Sequence, residues 1–244
     1  MDAIISFFIY DTPTLLACSL TCHSWYIATI RHLHYSLTAD VSVEKLRWPT
    51  SLQQSHNLGL LPLVKRFRVR LYFCGDFTRD RFYGHNLHYF SALTNLQKLR
   101  IDNLQVSSFM PNIQQWFGHL APTLRFLALM KPKGTPRQIL YFIGLFPSLQ
   151  VLGIYRSPPE KEPGSGSDAD LVPLSVPPLR GQLSLENFGN VGLVKEMIVL
   201  FGGLRFRSMD LRSVNCTQLL LEACAETLEA LRLYPTYTRG KDFF

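Results

Sequence analysis

No apolar run in this 244-residue chain approaches the roughly 18–20 residues that a bilayer-spanning helix needs, so a transmembrane helix is excluded. The longest N-terminal apolar stretch, Ala3 to Tyr10, follows Asp2 and contains Ser6. It lacks the basic flank and cleavage pattern of a secretory signal. Cysteine is sparse: Cys18, Cys22, Cys74, Cys216 and Cys224 are odd in number and scattered. That pattern implies no disulfide framework and points to a reducing compartment, cytoplasmic and/or nuclear. Charge is scarce at 18%, against 47% apolar and 12% aromatic residues, which excludes a disordered chain. The net charge of +7 favours an acidic partner without naming one.

Constellations that carry chemistry are missing too. Gly164-Ser165-Gly166-Ser167 has no lysine, no preceding strand and no following helix, so it is not a phosphate loop. Cys18, Cys22 and His23 lack a second ligand pair at zinc-site spacing and read as a packed helical face. Cys74 has no identifiable base, and His32, His34, His85 and His88 have no carboxylate at motif spacing. Asn215-Cys216-Thr217 matches a glycosylation pattern by chance, given no secretory signal. A non-enzyme without cofactor or metal is expected.

What is present is a repeat. Leu96, Leu99 and Ile101 occupy positions 1, 4 and 6 of a six-residue core. The spacing recurs at Leu124-Leu127-Leu129, Leu149-Leu152-Ile154 and Leu228-Leu231-Leu233, and more loosely at Leu183-Leu185 and Met209-Leu211. Phe67-Val69-Leu71 is an earlier candidate. The last apolar positions are 101, 129, 154, 185, 211 and 233, separated by 28, 25, 31, 26 and 22 residues.

The intervals read as helices. Ile113, Trp116, Phe117 and Leu120 share one helical face. Thr135-Pro136 supplies a cap and first-turn proline before Ile139, Phe142, Ile143 and Phe146. Asn190 caps the helix of Val191, Val194, Met197, Ile198 and Phe201, which Gly202-Gly203 stops. Leu220, Ala223, Cys224 and Leu228 form a fourth stripe. Strand-plus-helix units of this kind bury their apolar faces only by stacking.

This α/β pattern resembles the leucine-rich repeat family over residues 63–240. The resemblance implies a solenoid with parallel strands on a concave face and helices on a convex one. The family's Asn or Cys three residues beyond the last core position is replaced by Leu104, Pro132, Ser157, Phe188, Val214 and Thr236. A degenerate solenoid with irregular turns is therefore expected. The Pro-, Gly-, Ser- and acid-rich segment 156–178 reads as a flexible surface insert.

Residues 1–37 do not fit the repeat, and 38–62 read as a connecting segment. Thr12-Pro13 predicts one helix from Thr14 to Ile30, preceded by a short apolar helix. The run Asp11-Thr-Pro-Thr-Leu-Leu-Ala-Cys-Ser-Leu-Thr-Cys-His-Ser-Trp25 resembles the second half of an F-box, closest to the F-box-like proteins of mushroom-forming fungi. The Leu-Pro-x-Glu run that usually opens the module is not seen before Ile4-Ile5, so its first part reads as missing. The resemblance implies docking to the adaptor subunit of an SCF-type cullin–RING ubiquitin ligase. Its core and docking positions would be Ile5, Phe8, Pro13, Leu15, Leu16, Cys18, Leu20, Cys22 and Trp25. On periodicity alone the same residues could simply cap a solenoid.

Alternation on Lys65-Arg66-Phe67-Arg68-Val69-Arg70-Leu71 puts Arg66, Arg68 and Arg70 on one exposed strand face, opposite the core positions. The remaining outward rows are Arg100, Ala128, Gly153, Ser184, Asp210 and Arg232, then Asp102, Met130, Tyr155, Glu186, Arg212 and Tyr234. Their mixed chemistry suits a protein substrate and disfavours a nucleic-acid track. Three readings follow: a ligase substrate-recognition subunit, a ligase-independent interaction scaffold, and an RNA- or phosphopeptide-binding module built on the three arginines.

Overall fold

The computed structural model describes residues 4–5, 8, 11–42, 50–72, 88–106, 113–157 and 179–234. The protein is α/β and divides into two compact units, Met1–Lys98 and Leu99–Phe244.

In the first unit, α1 (Thr12–Ser19) and α2 (His23–Leu33) pack against each other and lead into β1 (Ser36–Ser42). After β1 come α3 (Thr50–Asn57), a 3-10 turn at Leu61–Leu63, β2 (Arg66–Tyr72) and the short α4 (His88–Ser91). β1 and β2 are parallel, with Ser36, Thr38 and Asp40 opposite Arg66, Arg68 and Arg70. Phe67, Val69 and Leu71 are buried, as the alternation predicts, and the Phe67 ring meets Phe90 edge-on at 5.7 Å. The stretch 38–62, read from the sequence as connecting, holds most of β1, α3 and the 3-10 turn. Its signal is the alternation Leu37, Ala39, Val41, which stands opposite Phe67, Val69 and Leu71.

In the second unit, β3 (Lys98–Asp102), β4 (Phe126–Met130), β5 (Val151–Tyr155), β6 (Arg180–Phe188), β7 (Arg205–Val214) and β8 (Ala230–Tyr234) follow one another in chain order. The registers of β4 to β8 are all parallel. Parallel neighbours need crossovers of a dozen or more residues. Those described are α5 (Ile113–Phe117), α6 (Pro136–Gly144), α7 (Val191–Leu200) and α8 (Thr217–Cys224). A capping box opens α6: Thr135 Oγ1 accepts from Gln138 N–H, and the Gln138 side chain accepts from Thr135 N–H. Asn190 caps α7 by accepting from Leu193 N–H at 2.8 Å, and Gly202 and Gly203 end it at positive φ.

Registered core rows explain the repeat. Leu127, Leu152, Leu183, Met209 and Leu231 form one row, and Leu129, Ile154, Leu185, Leu211 and Leu233 form the next. Facing helices fill the space behind them, with Phe142 edge-on to Phe117 at 5.2 Å and to Phe146 at 5.4 Å. All three rings are essentially buried. Both rows run out at β8, where Leu231 is 40% and Leu233 52% exposed.

The turns after the strands correct the expectation of irregularity. Asn103, Lys131, Arg156, Asn187 and Ser213 each follow the last outward-row residue directly, and all have φ between 49° and 62°. The N–H of Asn103 donates to Met130 O, that of Lys131 to Tyr155 O, and that of Arg156 to Glu186 O, at 2.7–2.8 Å. One residue later, Leu104, Pro132, Ser157 and Phe188 are buried and Val214 is half-buried. A left-handed backbone turn followed by an inward side chain thus repeats without a polar ladder. Thr236 and residues 158–178 of the expected insert lie outside the described residues; Arg156 and Ser157 belong to the turn.

Candidate functional site

The predicted single helix Thr14–Ile30 is two. Ser19 Oγ donates to Leu16 O and Thr21 Oγ1 to Cys18 O, both at 2.7 Å. These bonds compete for carbonyls at the end of α1. Cys22 is extended at φ −163° and starts α2. The start of α1 is fixed by Asp11, whose carboxylate accepts from Thr14 N–H at 3.2 Å and from Thr14 Oγ1 at 2.7 Å. Those two bonds hold its pKa below the ordinary aspartate value.

The break decides where each expected docking residue goes. Ile5, Leu15 and Ala28 form a small core, with Phe8, Trp25 and Leu33 packed against it. Thr29 is buried beside them and donates to Trp25 O at 2.8 Å. Leu16 points outward at 50% exposure and Leu20 at 86%. Pro13 and Cys22 are exposed, and Cys18 is half-buried. The expected set therefore separates into a folding group (Ile5, Phe8, Leu15, Trp25) and an outward group led by Leu16 and Leu20. Ile4, Tyr26 and Ile27, absent from the expected set, are also exposed. Sequence spacing could not sort these residues, because apolar side chains occur on both sides of α1.

On the β1–β2 face the arginines are already engaged. The Arg70 Nε lies 2.6 Å from Asp40 Oδ1, and the Arg66 guanidinium stands over the Tyr35 ring at 4.9 Å. All three arginines are half-buried. A stack of three open guanidinium groups, as the alternation expects, is not what the strand presents.

In the second unit the register assembles the expected outward rows. Ala128, Gly153, Ser184, Asp210 and Arg232 align, as do Met130, Tyr155, Glu186, Arg212 and Tyr234. Asp102 is buried and accepts from Arg100 Nε at 2.9 Å. Tyr155 lies across Gly153, where a Cβ would come within 2.5–2.8 Å of its ring and hydroxyl. Its hydroxyl is 3.2 Å from Ser184 Oγ. Arg212 donates to Asp210 through Nε at 3.2 Å and Nη2 at 3.5 Å, and its guanidinium sits 4.2 Å above the Tyr234 ring. The Asp210 bond and charge raise the Arg212 pKa further above its usual range. Gly153 and Ser184, both in the expected outward row, decide how Tyr155 lies.

Among the described residues, no group of three or more His, Cys, Asp or Glu side chains could hold a metal ion. The thiols of Cys18, Cys22, Cys216 and Cys224 are free, while Cys74 and His85 lie outside the described residues. No described helix is long and apolar enough to cross a membrane. No protein-family model matches the chain, and neither a curated protein nor a solved structure does.

Proposed function

We propose that the protein is a non-enzymatic substrate-recognition subunit of an SCF-type cullin–RING ubiquitin ligase. In this reading α1 and α2 are an F-box-like module that engages the ligase adaptor. The second unit is a leucine-rich-repeat-like solenoid whose outward strand rows hold a protein substrate on a concave face. Ubiquitin transfer belongs to other subunits. The observation that carries the reading is the exposure of Leu16 and Leu20 within the Leu-Leu-Ala-Cys-Ser-Leu string, while Leu15 is 1% exposed. Helix docking uses such outward anchors at short helical spacings.

A second reading has its own support: α2 ends at Leu33 and β1 begins at Ser36, as a cap stacked on a first strand would. The chain would then be a ligase-independent interaction scaffold. Capture of the adaptor by the full chain separates the two. Replacing Leu16 and Leu20 by Asp abolishes capture under the ligase reading. Under the scaffold reading the wild type captures nothing.

The RNA- or phosphopeptide-binding reading is third. Its arginines already meet Asp40 and Tyr35, which lowers the charge left for a phosphate.

A further inference from the structure

Glu186 stands mid-row, between Tyr155 on β5 and Arg212 on β7. An ion pair with Arg212, its register neighbour, is the arrangement expected of opposite charges on adjacent strands. Arg212 instead turns to Asp210 and to the Tyr234 ring on the other side. The half-buried Glu186 carboxylate forms no hydrogen bond or salt bridge with the described residues, although its charge acts on Arg212 beside it. Its backbone is fixed all the same, because Glu186 O accepts from Arg156 N–H at 2.7 Å at the mouth of the left-handed turn. On its open side lies Tyr155, held by Ser184 and given room by Gly153. Met130 follows in the same row.

We propose that Glu186, Tyr155 and Met130 seat one basic side chain, lysine or arginine, of an extended partner segment. The aliphatic stem runs along Met130 and the tyrosine ring, and the cationic head meets the Glu186 carboxylate at the ring's edge. A charge-assisted bond and a cation–π contact then act on the same group. Arg212 feels both Asp210 and Glu186, and the three side chains together still present a net negative charge to an incoming cation. The chain's net +7 works against unspecific capture of basic peptides, so a preference for one has to come from a local acid. The proposal specifies the substrate chemistry of the recognition face and rests on the functional reading only for that face being the one used.

The test is a chemical-shift titration of the full chain with acetylated, amidated Ala-Lys-Ala and with its norleucine counterpart, which keeps the stem and removes the charge. The lysine peptide is expected to bind about tenfold more tightly, with shifts centred on β5 and β6; tenfold corresponds to about 1.4 kcal/mol. Glu186→Gln, isosteric and on the outward face, should abolish the preference. Gly153→Ala, by displacing Tyr155, should weaken both peptides. Equal binding of the two peptides by the wild type overturns the proposal. So does a preference that survives Glu186→Gln, or no shift with either peptide up to concentrations on the order of 10 mM. Adaptor capture is measured on the same chains: its failure would count against the ligase reading alone, since α1 takes no part in the peptide preference.

Discussion

The helical pair α1–α2 and the repeating β3–β8 unit contain the same kind of side chain and use it differently. In the repeating unit leucines fall into registered rows, and Leu127, Leu129, Leu183 and Leu220 are fully buried. Around the helical pair the core among the described residues is Ile5, Leu15 and Ala28, while Ile4, Leu16, Leu20 and Ile27 are about half exposed or more. Burying a leucine is worth about 1.5–3 kcal/mol, so a fold that leaves Leu16 and Leu20 out forgoes stability it could have had. Exposed apolar residues grouped on one small module mark an interaction surface more readily than an error of folding. The comparison teaches that a shared sequence pattern, leucine at short helical or strand spacing, separates into buried and outward positions only once the backbone breaks are known.

Mutations of large apolar residues in the two regions should divide along this line. Phe142→Ala, which removes a ring enclosed by Phe117 and Phe146, should cost about 3–5 kcal/mol in a denaturant titration. Leu20→Asp should shift stability by no more than about 0.5 kcal/mol. A loss at Leu20 comparable with that at Phe142 would erase the distinction between the two regions.

The next effect belongs to helix and turn geometry in the repeating unit. Asn190→Ala removes the cap that meets Leu193 N–H and should lower stability by about 1–2 kcal/mol. Asn187, at φ 49°, should tolerate glycine with little change. Valine there should cost about 1 kcal/mol or more, because a β-branched residue resists the left-handed region. Equal tolerance of valine and glycine would remove the turn from the account of the repeat.

A smaller effect appears with pH. Burial pushes the Cys216 thiol up from the usual 9.0 to about 11, and the Cys224 thiol shifts in the same direction for the same reason. A raised folded pKa keeps the full contribution below pH 9 and loses it as pH rises toward 11. Unfolding of the repeating unit should therefore become easier across that window, and replacing both cysteines by Ala should flatten the slope. His34 acts at the other end: burial lowers its pKa, so its contribution is present above about pH 6.5 and fades as the solution is acidified below that.

Much of the repeating unit was legible in the sequence, because a strand with two core residues and a helix with one apolar stripe leave separate periodicities. The rows of Leu127 to Leu231 and Leu129 to Leu233, the caps at Thr135 and Asn190, and both outward rows from β4 to β8 follow from spacing alone. The turns were not legible. Lys131, Arg156 and Ser213 carry no signature of positive φ, and an apolar plug such as Leu104 or Phe188 looks like any other core residue. β1 was hidden by a single three-residue alternation, Leu37-Ala39-Val41, with no preceding copy to compare. In the helical pair the break at Leu20-Thr21-Cys22 depends on hydroxyl bonds to carbonyls, which spacing does not register. The engagement of Arg66 and Arg70 depended on Tyr35, just before β1, and on Asp40 in β1, about thirty residues earlier.

The central claim, that the outward leucines Leu16 and Leu20 at the end of α1 form a docking surface, is tested most directly by adaptor capture. The wild-type chain and the Leu16→Asp/Leu20→Asp variant are compared at equal concentration, with thermal unfolding recorded for both. The account predicts capture by the wild type, its loss in the variant, and the same unfolding midpoint for the two. Capture that persists in the variant, or a wild type that captures no adaptor, would contradict it.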